Sequence, residues 1–78
     1  MNYRETDWAN RFQKRNPDEY DMAIRLAEDP DLVVNVFKVH EVGWVIEPRN
    51  LMPDFWLGIH TTREEAINQC FELGWYIR

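Results

Sequence analysis

The sequence predicts an α+β fold: an N-terminal helical pair, a three-stranded antiparallel β-meander, and a C-terminal helix packed on one sheet face. Three observations predict it. Pro17 and Pro30 bracket a segment with apolar residues at helical spacing. From Leu32 onward the residues turn β-branched and aromatic. Thr61-Thr62 then stands three residues ahead of Glu64-Glu65, at the head of a further helical stripe. The 78 residues, 45% hydrophobic and 29% charged, suffice for one small core and exclude a disordered tail. The expected parts of this single domain are helical residues 1–31, a meander over 32–60, and a helix with room for a short final strand over 61–78.

Taking the elements in order, Thr6 suits the N-cap of a first helix, with Asp7 placed where a carboxylate meets the positive end of the helix dipole. Trp8 and Phe12 fall at i and i+4 and share a face. Asn16 precedes Pro17, so this helix ends near Arg15. A second helix follows, with Asn16 as its cap, Pro17 at the first position and Glu19 as a capping-box acid. Tyr20, Ala23, Ile24 and Ala27 make its apolar stripe, while Asp18, Asp21, Arg25, Glu28 and Asp29 occupy the other side. Asp29-Pro30-Asp31 stops it.

Leu32–His40 reads as a strand, Glu41-Val42-Gly43 as a tight turn and Trp44–Glu47 as the partner strand. Pro48–Pro53 is a loop. Asp54–His60 reads as a third strand with Phe55, Leu57 and Ile59 on one face, and Trp56, Gly58 and His60 on the other. Short connections favour an antiparallel order. By parity the first of these faces needs the C-terminal helix, whereas Trp44, Ile46 and Trp56 share the other and need cover from the N-terminal helices or from a partner. The last helix is capped by Thr61 or Thr62, buries Ala66, Ile67, Cys70 and Phe71, and ends at Gly74 in a left-handed C-cap with Trp75 as its hydrophobic contact. Trp75–Arg78 allows a short final strand.

The formal net charge is −5, and it is unevenly placed. Residues 1–16 hold four cations and two acids, and residues 17–31 hold six acids and Arg25 alone. The apolar runs are too short for a membrane-spanning helix. Cys70 is the single cysteine, and the polar N-terminal stretch has no signal-peptide pattern, so the expectation is a soluble cytoplasmic protein.

The residue types exclude several chemistries. No serine occurs, which removes serine nucleophiles. Cys70 falls on an apolar helical stripe, as a small buried hydrophobe rather than a thiolate. The three glycines are isolated, so no phosphate-cradling loop is available. His40 and His60 lie at strand ends on one sheet rim, without the ligand spacing zinc requires. The expectation is therefore a protein that is no enzyme and carries no metal or other cofactor. For nucleic acid, Arg11, Lys14 and Arg15 form a basic patch and exposed aromatics offer stacking surface, but the net charge and the acidic second helix repel phosphates. Protein–protein interaction has positive support in four tryptophans, a preferred hot-spot residue, and in an acidic helix face suited to a basic partner.

The run Gly43-Trp44-Val45-Ile46-Glu47-Pro48, then Phe55–Ile59, then Thr62-Arg63-Glu64-Glu65-Ala66-Ile67 with Cys70 and Gly74, resembles small phage and bacterial proteins in which a tryptophan-containing hairpin precedes a T-x-E-E-A helix ending in glycine. The resemblance covers residues 33–78. It implies a ββα or βββα module and transfers no catalytic residue. In size and charge alone the chain is similar to phage anti-defence proteins, including anti-CRISPR inhibitors, which implies a host protein or nucleoprotein complex as partner.

The resulting expectation is a non-enzymatic protein-interaction module, a phage or mobile-element inhibitor of a host complex. Asp18, Asp21, Glu28 and Asp29 would supply charge complementarity, and Trp44 and Trp56 the apolar anchors. Two alternatives stand beside it: a small nucleic-acid-binding regulator using Arg11, Lys14 and Arg15, and a homodimer formed through the Trp44/Trp56 face.

Overall fold

Two helix starts in this chain, those of the first and last α-helices, are fixed by threonine hydroxyls. In the computed structural model, which describes residues 1–49 and 54–78, a 3-10 turn (Tyr3–Glu5) leads to helix α1 (Asp7–Arg15), where the Thr6 hydroxyl accepts from the Ala9 amide at 3.2 Å. Thr62 caps α3 (Arg63–Leu73) in the same way, accepting from the Glu65 amide at 3.2 Å. Gly74 ends α3 at φ 75°, in the left-handed region, and the Trp75 amide donates to the Cys70 carbonyl at 2.9 Å. Both threonine caps and the glycine stop follow the sequence expectation. The second helix differs. Pro17–Glu19 forms a 3-10 turn and α2 spans Tyr20–Glu28. The Asn16 side chain accepts from no backbone amide there; its own amide donates to Glu19 Oε1 at 2.9 Å, so the two residues expected to cap the helix bond each other instead.

Three strands follow: β1 (Val33–Val39), β2 (Gly43–Pro48) and β3 (Gly58–His60). They form the expected antiparallel meander, but within a four-stranded mixed sheet of order β3-β2-β1-β4, because β4 (Tyr76–Ile77) joins the far edge of β1 in parallel. The Arg78 amide donates to the Val34 carbonyl at 3.0 Å and secures that edge. Helix α3 leaves one edge of the sheet and delivers β4 to the other, so it crosses all four strands.

Register then decides which residues are covered. Val36 pairs with Ile46, Lys38 with Trp44, and Trp44 with His60. The Val34, Val36, Ile46, Gly58 and Ile77 face carries the helices: Val34 and Ile46 belong to a single core with Trp8, Phe12, Ile24, Phe55, Leu57, Cys70 and Trp75, and Val36, Trp44 and Ile77 pack against it. The third strand is shorter than the expected 54–60. Residues 54–57 run outside the sheet, Asp54 at φ 64°, and both Phe55 and Leu57 turn into the core. Strand parity therefore does not extend through them. Ile59 lies on the opposite face from the one that the helices cover, and α3 does not sit on a Phe55/Leu57/Ile59 face. Most of the expected Pro48–Pro53 loop lies outside the described residues.

On α3 the buried stripe is Ala66, Gln69, Cys70 and Leu73, whereas Phe71 is 74% exposed. Hydrophobicity alone selects Phe71 over Gln69. The helix is instead turned so that the Gln69 amide faces α1.

Candidate functional site

Two surfaces concentrate the chemistry. The first is a pocket between α1, β3 and the start of α3. Trp8, Arg11, Phe12 and Arg15 recur at intervals of three and four residues, so they share one side of α1. Trp8 and Phe12 enter the core, with the Trp8 indole donating to the Leu57 carbonyl. Arg11 and Arg15 reach past these rings to the rim. Arg15 Nη2 donates to the Trp56 carbonyl at 3.0 Å, and its guanidinium lies 5.2 Å over the Phe12 ring centroid. Burial pulls the Arg15 pKa below its ordinary value. Arg11 Nη2 donates to Gln69 Oε1 at 3.3 Å, and Gln69 itself is buried.

His60 closes the pocket from β3. Its Nε2 is buried and has no hydrogen-bond partner among the described residues. A Cβ at Gly58 would stand 3.1 Å from Ile46 Cδ1 and 3.4 Å from His60 Nε2, so the glycine leaves that space clear. Burial lowers the His60 pKa and the Arg11 charge acts in the same sense, whereas the Gln69 side chain and the Glu65 carboxylate oppose them. The pocket is open on one side and encloses about 370 Å³, with Trp8, Phe12, Leu57 and Gly58 among its walls and Arg11, Arg15, His60, Glu65 and Gln69 supplying the polar groups.

The second surface is the face of the sheet opposite the helices. Phe37 and Ile59 flank Val45 there in register, and Tyr76 extends the face onto β4. Phe37 is 37%, Ile59 36% and Tyr76 66% exposed, while Val45 is fully buried. Trp56 stands on the same side, its indole donating to Glu47 Oε2 at 3.0 Å.

The sequence-predicted residues divide among these regions. Trp44 lies on the helix-covered face and Trp56 on the open one, so the two do not form one patch; the parity that united them breaks where the chain leaves the sheet at residue 57. Asp18, Asp21, Glu28 and Asp29 are all exposed around α2, on the helical side of the molecule. Asp21 pairs with Arg4 at 3.5 Å, and Asp29 Oδ1 accepts the Asp31 amide at 2.9 Å in the turn that stops the helix. Arg11 and Arg15 share the pocket, but Lys14 points elsewhere and is exposed, so the expected three-residue basic patch is split. Cys70 is buried, and its thiol is pushed up to about 11 by that burial. His40 is exposed beside Glu41, far less enclosed than His60. Among the described residues no group of three or more His, Cys, Asp or Glu side chains is placed to hold a metal, and no helix is long and apolar enough to cross a membrane.

Sequence reasoning missed Gln69, His60, Phe37, Ile59 and Tyr76 as site residues. The spacing of Trp8, Arg11, Phe12 and Arg15 was the signal for the pocket's first wall. No local signal marks Gln69 or the orphaned His60 nitrogen, which depend on how α3 is rotated and where β3 begins. Compared with known proteins, the chain matches no family model, no curated protein and no solved structure.

Proposed function

We propose that the protein is a non-enzymatic protein-interaction module that docks through the open face of its sheet. One observation carries the reading: Phe37, Ile59 and Tyr76 are exposed on a single face, beside Trp56, while the helices lie on the other face. Aromatic side chains held by a rigid sheet lose little conformational entropy on binding and make good anchors. Among the described strand residues Glu47 is the one acid, held by Trp56, and the chain as a whole carries −5. That charge repels a second copy and favours a partner with an apolar centre and a neutral or basic rim. A phage or mobile-element inhibitor of a host complex is the specific form that the sequence resemblance suggests.

Two variants test it against a bacterial lysate. Phe37→Glu with Tyr76→Glu places charge at the centre of the proposed contact, and reversal of Asp18, Asp21 and Glu28 to Lys removes the acidic surface of α2. A partner captured by the wild-type chain and lost with the sheet-face variant, while that variant keeps its far-ultraviolet dichroism and cooperative melt, supports docking through the sheet. Undiminished capture by the sheet-face variant overturns it. Loss on the charge-reversed variant alone would move the contact to α2. Sedimentation at micromolar concentration reads self-association in the same samples.

A further inference from the structure

We infer that the pocket between α1, β3 and α3 is a binding site for a small organic monocarboxylate with an aromatic or branched apolar body. Among the described residues two guanidiniums on this pocket lack a carboxylate partner. The chain has fourteen acids against nine Lys and Arg, yet among the described residues the ion pairs within 4.0 Å are Arg4–Asp21 and His40–Glu41. Arg11 and Arg15 are instead held by neutral oxygens, Gln69 Oε1 and the Trp56 carbonyl, and both line the same pocket. A carbonyl or amide oxygen orients a guanidinium without neutralising it, so the charge stays available to an incoming anion.

The charge count sets the valence. Arg11 and Arg15 bring two positive charges to the lining, Glu65 brings one negative, and His60 is held towards its neutral form. One added negative charge balances the site, whereas a dianion would leave it overfilled beside Glu65. A carboxylate also matches the planar donor fork of arginine. The orphaned Nε2 of His60 points to a further polar contact, since a buried nitrogen without a partner is costly. The apolar groups set the rest of the ligand: Trp8, Phe12 and Leu57 make a floor that is almost fully buried, Ile59 is the accessible apolar wall, and a volume of about 370 Å³ accommodates a phenyl-sized body with its acid group. The same chemistry arises in a free aromatic or branched acid and in the C-terminal carboxylate of a peptide ending in an apolar residue.

Titration followed by nitrogen–proton correlation spectra, including the tryptophan indole and arginine Nε signals, tests this on the full chain. The probes are phenylacetate, N-acetylphenylalanine and the uncharged phenylacetamide. Saturable shifts at Trp8, Arg11, Gln69 and His60 are expected with either acid and not with the amide. Tighter binding of N-acetylphenylalanine identifies a peptide terminus as the source, and tighter binding of phenylacetate a free acid. Arg11→Gln is expected to weaken binding about tenfold or more, as for loss of a charge-assisted bond, while Lys14→Gln leaves it unchanged. Arg11→Lys, which keeps the charge without the fork, should fall between. Equal response to the amide, equal weakening by Lys14→Gln, or no saturation in the millimolar range overturns the inference. The pocket shares Ile59 with the open sheet face, but the variants at Arg11 and Lys14 change no residue of that face, so these outcomes are distinguishable from partner capture.

Discussion

The two faces of the sheet are made of alternate residues of the same strands, but one is interior and the other is surface. On β2, Ile46 is sealed under the helices, while its neighbours Val45 and Glu47 belong to the open side. Both sides are apolar at their centres. They differ in what arrives over them: α3 spans every strand on one side, and on the other Trp56 is fixed to Glu47 while Phe37, Ile59 and Tyr76 stay accessible. Burial of a half-apolar sheet is therefore set by connectivity as much as by hydrophobicity. The crossover from β3 to β4 can run over only one face, and the chain spends its helices there.

The largest expected contrast comes from truncating one residue on each side. Ile46 is completely buried against the core cluster, so Ile46→Ala should cost about 2–5 kcal/mol, through lost transfer energy and the cavity left behind. A domain of this length has a total stability of only some 5–15 kcal/mol, so that variant should unfold at markedly lower urea. Phe37→Ala removes a larger side chain from the open side and should cost less than about 1 kcal/mol, as surface substitutions do. Comparable urea midpoints for the two variants would show that the open side is as structural as the covered one, and would remove the basis for docking there.

What could be read from the sequence was what local chemistry determines. Thr6 and Thr62 cap because a hydroxyl three residues before a free amide can reach it, and Gly74 stops α3 because a left-handed residue is needed there. The Ala23, Ile24 and Ala27 stripe was equally visible, for the 3.6-residue period is a property of the helix alone. The remainder depended on distant parts of the chain. Strand parity placed Trp44 with Trp56, and it failed because residues 54–57 leave the ladder and drive Phe55 and Leu57 into the core. Hydropathy ranks Phe71 above Gln69 for the core because it does not register that Gln69 bonds Arg11 across the helix–helix contact. The basic cluster Arg11, Lys14 and Arg15 was legible as charge, but its division into two pocket residues and one solvated lysine follows from helical spacing measured against Trp8 and Phe12.

A smaller effect tests how the alternation is anchored. The β1–β2 turn sets which residues land on the covered side, and a slip of one position would exchange Ile46 for Val45. Gly43 sits at that turn with φ 128°, and a Cβ there would stand 2.7 Å from the His60 carbonyl oxygen on β3. Both the dihedral and the backbone oxygen oppose a side chain. Gly43→Ala should cost about 1–3 kcal/mol, the range for enforced backbone strain, with β2 and β3 amides losing the most protection in hydrogen exchange. Unchanged protection would mean that the register is held elsewhere, by the Trp56–Glu47 bond or by α3.

The smallest effect is a pH dependence confined to the covered side. His60 and His40 end parallel strands on one rim, yet only His60 is enclosed. Its pKa is lowered in the folded chain, first by burial and then by the Arg11 charge, with Gln69 and Glu65 in partial opposition. The unfolded chain therefore binds the proton more readily than the folded one. Stability from this group is fully present above the ordinary histidine pKa of about 6.5, and it is lost as pH falls through that value towards the lower folded pKa. Urea midpoints of the wild-type chain should thus decline between neutral and mildly acidic pH by more than those of His60→Gln, which has no imidazole to protonate. A wild-type slope no steeper than that of His60→Gln would mean that the imidazole is as well solvated as His40, and that the wall it forms in the pocket is open to water.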